Sequence, residues 1–114
     1  MQEIKIEKSE KTSLGIRFSL LLEKDKKEIG HAYLYIMNND LHEQPFGLIE
    51  DVFIDEEYRK QGLGTKLINT IIQTAKERNC YKIIATSRYS RPKVHSFYKK
   101  LGFQDYGKEF RIDL

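Results

Sequence analysis

Residues 47–78 constrain this chain more than any other stretch. Gly47, Leu48, Ile49, Val52, Phe53 and Ile54 make an apolar-rich run of strand length. An acidic turn follows, Asp55-Glu56-Glu57, and then Arg59-Lys60-Gln61-Gly62-Leu63-Gly64-Thr65. Leu63, Leu67, Ile71 and Ala75, with Ile68 and Ile72 beside them, recur at the spacing of one helix face. The order is strand, glycine loop, helix, and the helix is expected over residues 63–78. Two glycines at a helix entrance let the backbone approach a ligand and aim its N–H groups outward. The first N–H groups of a helix lack internal partners, and the macrodipole makes that end positive. Together these features form a seat for phosphate. Two familiar phosphate loops do not fit. A dinucleotide fingerprint needs a third glycine or alanine where Leu67 stands. A Walker A loop needs Gly-Lys-Ser/Thr, whereas the order here is Gly64-Thr65-Lys66.

A second stretch, Phe97-Tyr98-Lys99-Lys100-Leu101-Gly102-Phe103, lies at the end of a short helical segment. With it a resemblance becomes clear. Arg59-x-x-Gly62-x-Gly64 resembles the acyl-CoA pyrophosphate loop of the GNAT superfamily of N-acetyltransferases, and Phe97-Tyr98 through Leu101-Gly102-Phe103 resembles that family's second signature. Order and separation match, over roughly residues 47–103. The resemblance implies transfer of an acetyl group from acetyl-CoA to a primary amine, on a protein, a peptide or a small molecule, by direct attack. A reading from another class is a non-catalytic acyl-CoA-binding module that regulates a partner.

Composition sets the remaining bounds. A chain of 114 residues is expected to form one domain. With 39% hydrophobic and 32% charged residues it reads as globular with a highly charged surface. A net charge of +3, with lysines scattered rather than banked into a stripe, gives no support for nucleic acid binding. No apolar run approaches the ~18 residues of a membrane span, and no signal-peptide pattern opens the chain. A lone cysteine, Cys80, excludes an internal disulfide and suits the cytoplasm. It is expected as a small apolar side chain between a helix and a strand.

Along the chain, Ile4 and Ile6 alternate with charged neighbours as a short strand would, and Leu14, Ile16, Phe18, Leu20 and Leu22 alternate over a second. The charged turn Lys24-Asp25-Lys26-Lys27 predicts a hairpin return over residues 28–37. Both faces of that strand are largely apolar, which places it centrally with helices covering the sheet. Residues 81–86 read as a strand parallel to 47–54 through a right-handed crossover. Pro92 opens a second helix, capped by Ser90 or Arg91, and Gly102 closes it. Residues 103–106 and 108–113 read as a final strand pair. The fold class is therefore α/β, a GNAT-like mixed central sheet of six to seven short strands with two main helices packed on it. The resemblance adds that the strands at 47–54 and 81–86 splay apart, with the pantetheine arm in the gap. It also exposes a departure. Family members place two helices between the first two strands, and residues 8–13 are too few for one. The acceptor groove is then open on that side, or a second subunit closes it, and the uncovered apolar surface makes a homodimer plausible.

The chemistry implied by the resemblance needs four parts. The phosphate seat is the backbone of Gln61, Gly62, Leu63, Gly64 and Thr65, with charge from Arg59 or Lys60. A carbonyl polariser comes from main-chain groups of Val52, Phe53 and Ile54. Tyr98 is the general acid, since a phenol of pKa about 10 can donate to a thiolate whose thiol has a pKa near 8.5. An alkylammonium of pKa near 10.4 must lose its proton on site, and Glu50 is preferred over Asp51 as the base. Arg91 stands where the family often has asparagine, and could reach the 3′-phosphate side of CoA. His95 is a candidate relay. No histidine or cysteine has metal-ligand spacing, so no metal is implied.

Overall fold

The computed structural model describes residues 2–114. Strands β1 (Leu14–Leu21) and β2 (Glu28–Met37) form an antiparallel hairpin, and β3 (Phe46–Ile54) pairs antiparallel with β2. Helix α1 (Leu63–Glu77) crosses over to β4 (Ile83–Ala85), which is parallel to β3, and α2 (Pro92–Lys100) follows. The sheet order is β1-β2-β3-β4.

The core is one layer between sheet and helix. Ala32, Leu34 and Ile36 from β2 and Ile49 from β3 meet Leu67, Ile68, Ile71 and Ala75 of α1, all buried. Truncating Leu34, Ile68 or Ile71 to alanine would cost about 2–5 kcal/mol. Both helices end in the same way. Cys80 N–H bonds the Ala75 carbonyl and Asn79 N–H that of Lys76, with Asn79 at φ 63°. Phe103 N–H bonds the Tyr98 carbonyl and Gly102 N–H that of Lys99, with Gly102 at φ 98°. This is the Schellman closure, which brings the residue past the turn against the last helical turn. It seats Cys80 against the core, and burial pushes the Cys80 thiol up.

Three expectations are corrected. Among the described residues the sheet has four strands rather than six to seven. Neither 3–7 nor 103–113 joins it. Ile4 and Ile6 are 92% and 89% exposed, and Phe110 and Ile112 are 89% and 81% exposed. Alternation alone does not make a strand where there is neither a neighbouring edge nor a face to bury. The strand expected over 81–86 keeps only Ile83–Ala85. The helices also cover one face, not both. Phe97, Tyr98 and Leu101 of the α2 region reach the same cluster that α1 covers, and the face carrying His31, Tyr33, Tyr35 and Met37 is left half-exposed. The expected acidic turn is present, with Glu56–Tyr58 as one short 3-10 turn.

Candidate active site

The site begins where the sheet comes apart. Parallel pairing of β3 with β4 runs from Gly47/Ile83 to Ile49/Ala85 and stops, while β3 continues to Ile54. A bulge causes the divergence. Tyr33 stands opposite Glu50 and His31 opposite Phe53, so Asp51 and Val52 together face Ala32, with Asp51 at φ 51°. Bulges bend and twist the strand that carries them. Beyond this one, Asp55 N–H bonds the Ile29 carbonyl at 2.8 Å. Antiparallel alternation then turns Phe53 towards β2, and the N–H and carbonyl of Ile54 into the gap. Val52 and Phe53 are 38% and 44% exposed along this edge.

The glycine loop hangs over the gap. Arg59 Nε donates to the Ile54 carbonyl at 2.7 Å, and its guanidinium lies 5.7 Å from the Phe53 ring centroid. Arg59 thus ties the loop to the strand end, and only its Nη nitrogens are left for a phosphate. Lys60 and Gly62 both have positive φ, 64° and 78°. That strain in a non-glycine residue is typical of ligand clamps. No side chain caps α1, and its first internal bond is Lys66 N–H to the Gly62 carbonyl. The N–H groups of Leu63, Gly64 and Thr65 therefore have no acceptor among the described residues. A Cβ on Gly62 would meet open space, whereas one on Gly64 would meet the Phe97 ring at 3.5 Å. Gly64 faces helix α2, not the space where a ligand would lie. Gln61 and Thr65 are exposed and Leu63 is half-buried. Three free N–H groups, an open glycine and Lys60 suit a pyrophosphate. The acidic hollow of about 380 Å³ lined by Asp55, Glu56 and Glu57 does not, and it lies before the loop.

Tyr98 approaches the gap from α2. Its ring is held edge-on between Phe97 and Phe103, at centroid distances of 5.4 and 5.2 Å. Burial raises its pKa above the usual value near 10, and the Glu50 carboxylate adds to the rise. Glu50 itself is half-buried on β3, opposite Tyr33, and Asp51 is exposed. The gap thus brings together the β3 edge, the loop, Tyr98 and Glu50.

Arg91 is exposed at the start of α2, as backbone N-cap without a capping side chain. His95 has one ring nitrogen engaged. Its Nε2 lies 2.8 Å from the Arg88 carbonyl, which can only accept, so Nε2 carries the proton and pins the 88–91 turn. Two features lay beyond the reading of the sequence. Ser87 Oγ, just past β4, is buried with no hydrogen-bond partner among the described residues, and buried polar atoms ordinarily have one. Arg17 sits on the uncovered face. It donates from Nη1 to the Tyr33 hydroxyl and from Nη2 to both Glu28 oxygens, at 2.8 and 2.6 Å. Nothing local links residues 17, 28 and 33. Only the strand register does.

A parallel strand pair that parts beneath a helix N-terminus defines an α/β protein with an open gap between two neighbouring strands. The chain belongs to the acetyltransferase (GNAT) family, whose pattern matches residues 3–103. A glucosamine 6-phosphate N-acetyltransferase of Trypanosoma brucei brucei is 41% identical over 68 residues, covering 60% of this chain and 44% of that protein. N-alpha-acetyltransferase 30 of Schizosaccharomyces pombe is 34% identical over 68 residues, covering 60% of this chain and 45% of its own. The crystal structure of a Trypanosoma brucei acetyltransferase superposes with a TM-score of 0.80 at 31% identity, covering 88% of this chain and 69% of that one. The chain spans less than half the length of both curated relatives. No helix among the described residues is long and apolar enough to cross a membrane.

Proposed function

We propose that the chain is an acetyl-CoA-dependent N-acetyltransferase acting on a primary amine. The observation that carries this reading is the convergence on one gap of free helix N–H groups, a neutral phenol and a carboxylate. In this reading the N–H groups of Leu63, Gly64 and Thr65, with Gln61 and Gly62 around them, hold the pyrophosphate of acetyl-CoA. Lys60 and the Nη nitrogens of Arg59 add charge. The pantetheine arm runs along Val52, Phe53 and Ile54, and the Ile54 N–H polarises the thioester carbonyl. Ser87 Oγ finds its missing partner there, and Arg91 lies on the 3′-phosphate side. Glu50 takes a proton from the substrate ammonium. The amine attacks the thioester carbon, the new N–C bond forms and the C–S bond breaks. Tyr98 then gives its proton to the departing thiolate and regains one from the nitrogen as the amide forms; the phenol is the weaker acid, so the transfer is carried by C–S cleavage and by the proton the nitrogen sheds. A binding-only module has no need of a phenol beside a carboxylate.

The relatives' names point to glucosamine 6-phosphate in one case and to an α-amino nitrogen in another, so both classes are candidate acceptors. A homodimer and a cytoplasmic setting complete the reading, and neither nucleic acid nor membrane has a part in it. The deciding experiment is thermal unfolding with acetyl-CoA, free CoA and NADH. A ligand at about 100 times its Kd adds roughly 2.7 kcal/mol. Stabilisation by acetyl-CoA and not by NADH, followed by thiol release on adding an amine, is the expected result. No shift with either CoA species overturns the reading.

A further inference from the structure

The uncovered sheet face carries one line of side chains that ends at Glu50. Arg17 of β1 is paired with Tyr33 of β2, and Tyr33 with Glu50 of β3. Adjacent strands lie about 4.8 Å apart, so the line spans about 10 Å. Along β2 the Tyr33 ring lies parallel to that of Tyr35, at 6.1 Å and 7°, and edge-on to His31 at 6.1 Å. The charges on this strip are already committed. Both Glu28 oxygens accept from Arg17 Nη2, and Arg17 Nη1 holds the Tyr33 hydroxyl. His31 Nδ1 also faces Glu28, at 3.6 Å. The Tyr33 oxygen thus accepts from Arg17, which leaves its proton to donate. A phosphate entering here would meet a guanidinium already donating to Ser19, Tyr33 and Glu28, and two carboxylates.

We infer that the strip from Tyr33 to Glu50 is the acceptor seat, and that it takes a small amine whose body is uncharged or cationic, not an amino sugar phosphate. The inference rests on the acetyltransferase reading above and narrows its acceptor. Tyr33 donates to the acceptor, the half-exposed rings of Tyr33 and Tyr35 give its C–H groups an apolar wall, and Glu50 draws the ammonium in. Arg17 and Glu28 fix the phenol and cancel each other, which leaves Glu50 to set the sign of the strip; the Arg59 guanidinium lies beyond Phe53, whose ring packs on His31, and in the reading above its Nη nitrogens are taken by the CoA phosphates. An anion placed among like charges is strongly disfavoured.

The test uses cadaverine, glucosamine and glucosamine 6-phosphate. Each is titrated calorimetrically into CoA-saturated protein, and each is assayed for thiol release from acetyl-CoA. Cadaverine and glucosamine are expected to bind and to turn over with kcat/KM about tenfold or more above the phosphate, since each 1.4 kcal/mol is tenfold. Tyr33→Phe removes one neutral hydrogen bond. It should raise the acceptor KM by about three- to tenfold and leave the KM for acetyl-CoA unchanged. Glu28→Gln releases Arg17 and should narrow the preference against the phosphate. Glucosamine 6-phosphate binding as well as glucosamine overturns the inference, as does an unchanged acceptor KM in Tyr33→Phe. Calorimetric discrimination with no thiol release from any amine would support the seat and overturn the acetyltransferase reading. Binding of none of the three would overturn the seat alone, provided CoA still binds.

Discussion

At the scale of single residues, Tyr98 and the loop glycines carry the most specific expectations. Burial and the nearby Glu50 both penalise the phenolate, so the folded-state pKa of Tyr98 lies above its unfolded value near 10. The neutral phenol is the form the fold prefers. Its contribution to stability is complete below about pH 10 and is lost as pH climbs through the raised value. As a proton donor Tyr98 is therefore available across the whole neutral range. Turnover should rise with pH as the amine deprotonates, and should not fall until above about pH 10. Tyr98→Phe keeps the contacts with Phe97 and Phe103 and should lower kcat by about 10²-fold or more with the KM for acetyl-CoA unchanged. An unaltered kcat leaves Tyr98 a purely structural aromatic. The two glycines should separate. Gly62→Ala puts a side chain into open space at φ 78°, which costs about 1–2 kcal/mol of backbone strain and obstructs the proposed pyrophosphate seat. Gly64→Ala meets Phe97 at an ordinary contact distance and should keep both fold and CoA affinity. Equal loss of CoA affinity in both variants would show that the loop works in some other way. The sequence singled out both glycines but could not tell them apart, because their difference depends on where α2 lies.

Elements show why the second motif has its form. Phe97-Tyr98 and Leu101-Gly102-Phe103 look like a catalytic signature, yet most of those residues build a helix end. Gly102 takes the left-handed conformation, its N–H and that of Phe103 close on Lys99 and Tyr98, and Phe103 swings against the Tyr98 ring. The spacing between tyrosine and glycine is that of the closure itself, so it was legible in the sequence as a helix stop. That the stop also orients the tyrosine was not. Gly102→Ala should cost about 1–2 kcal/mol, a fall in Tm of about 4–8 °C per kcal/mol for a chain of this size. It should lower kcat while leaving CoA affinity intact, because it disturbs α2 and not the loop. A Tm fall without loss of kcat would mean that Tyr98 keeps its place without the closure. The β3 bulge was equally hidden. Glu50-Asp51-Val52 reads as plain strand, and only its register against His31 and Tyr33 shows the extra residue. A strand's alternation is printed in its own residues, whereas a bulge belongs to the pair.

Across the whole molecule, what was legible followed the same division. The hairpin, the central strand, the crossover and both helices are written in local periodicity, and each lies where the pattern put it. The terminal strands and the second helical layer depend on neighbours that local pattern does not supply. Their absence leaves a distinctive shape. The radius of gyration is 17.2 Å with extents of 66 × 30 × 29 Å, against about 13 Å for a compact chain of this length. The excess lies in the arms before β1 and after α2, where Ile4, Ile6, Tyr106, Phe110 and Ile112 are each at least 81% exposed. Apolar side chains gathered on a protruding arm are a common mark of association, and β1 is an open sheet edge. Self-association through the arms is the expected outcome. Sedimentation across a concentration series should show a dimer at high concentration, and a chain ending at residue 103 should remain monomeric while still binding CoA. That second result matters as much as the first, because the gap, the loop and Tyr98 all lie within residues 47–103. If the 114-residue chain stays monomeric at every concentration, the dimer is removed. A truncated chain that loses CoA binding would mean that the arm after α2 supports the site.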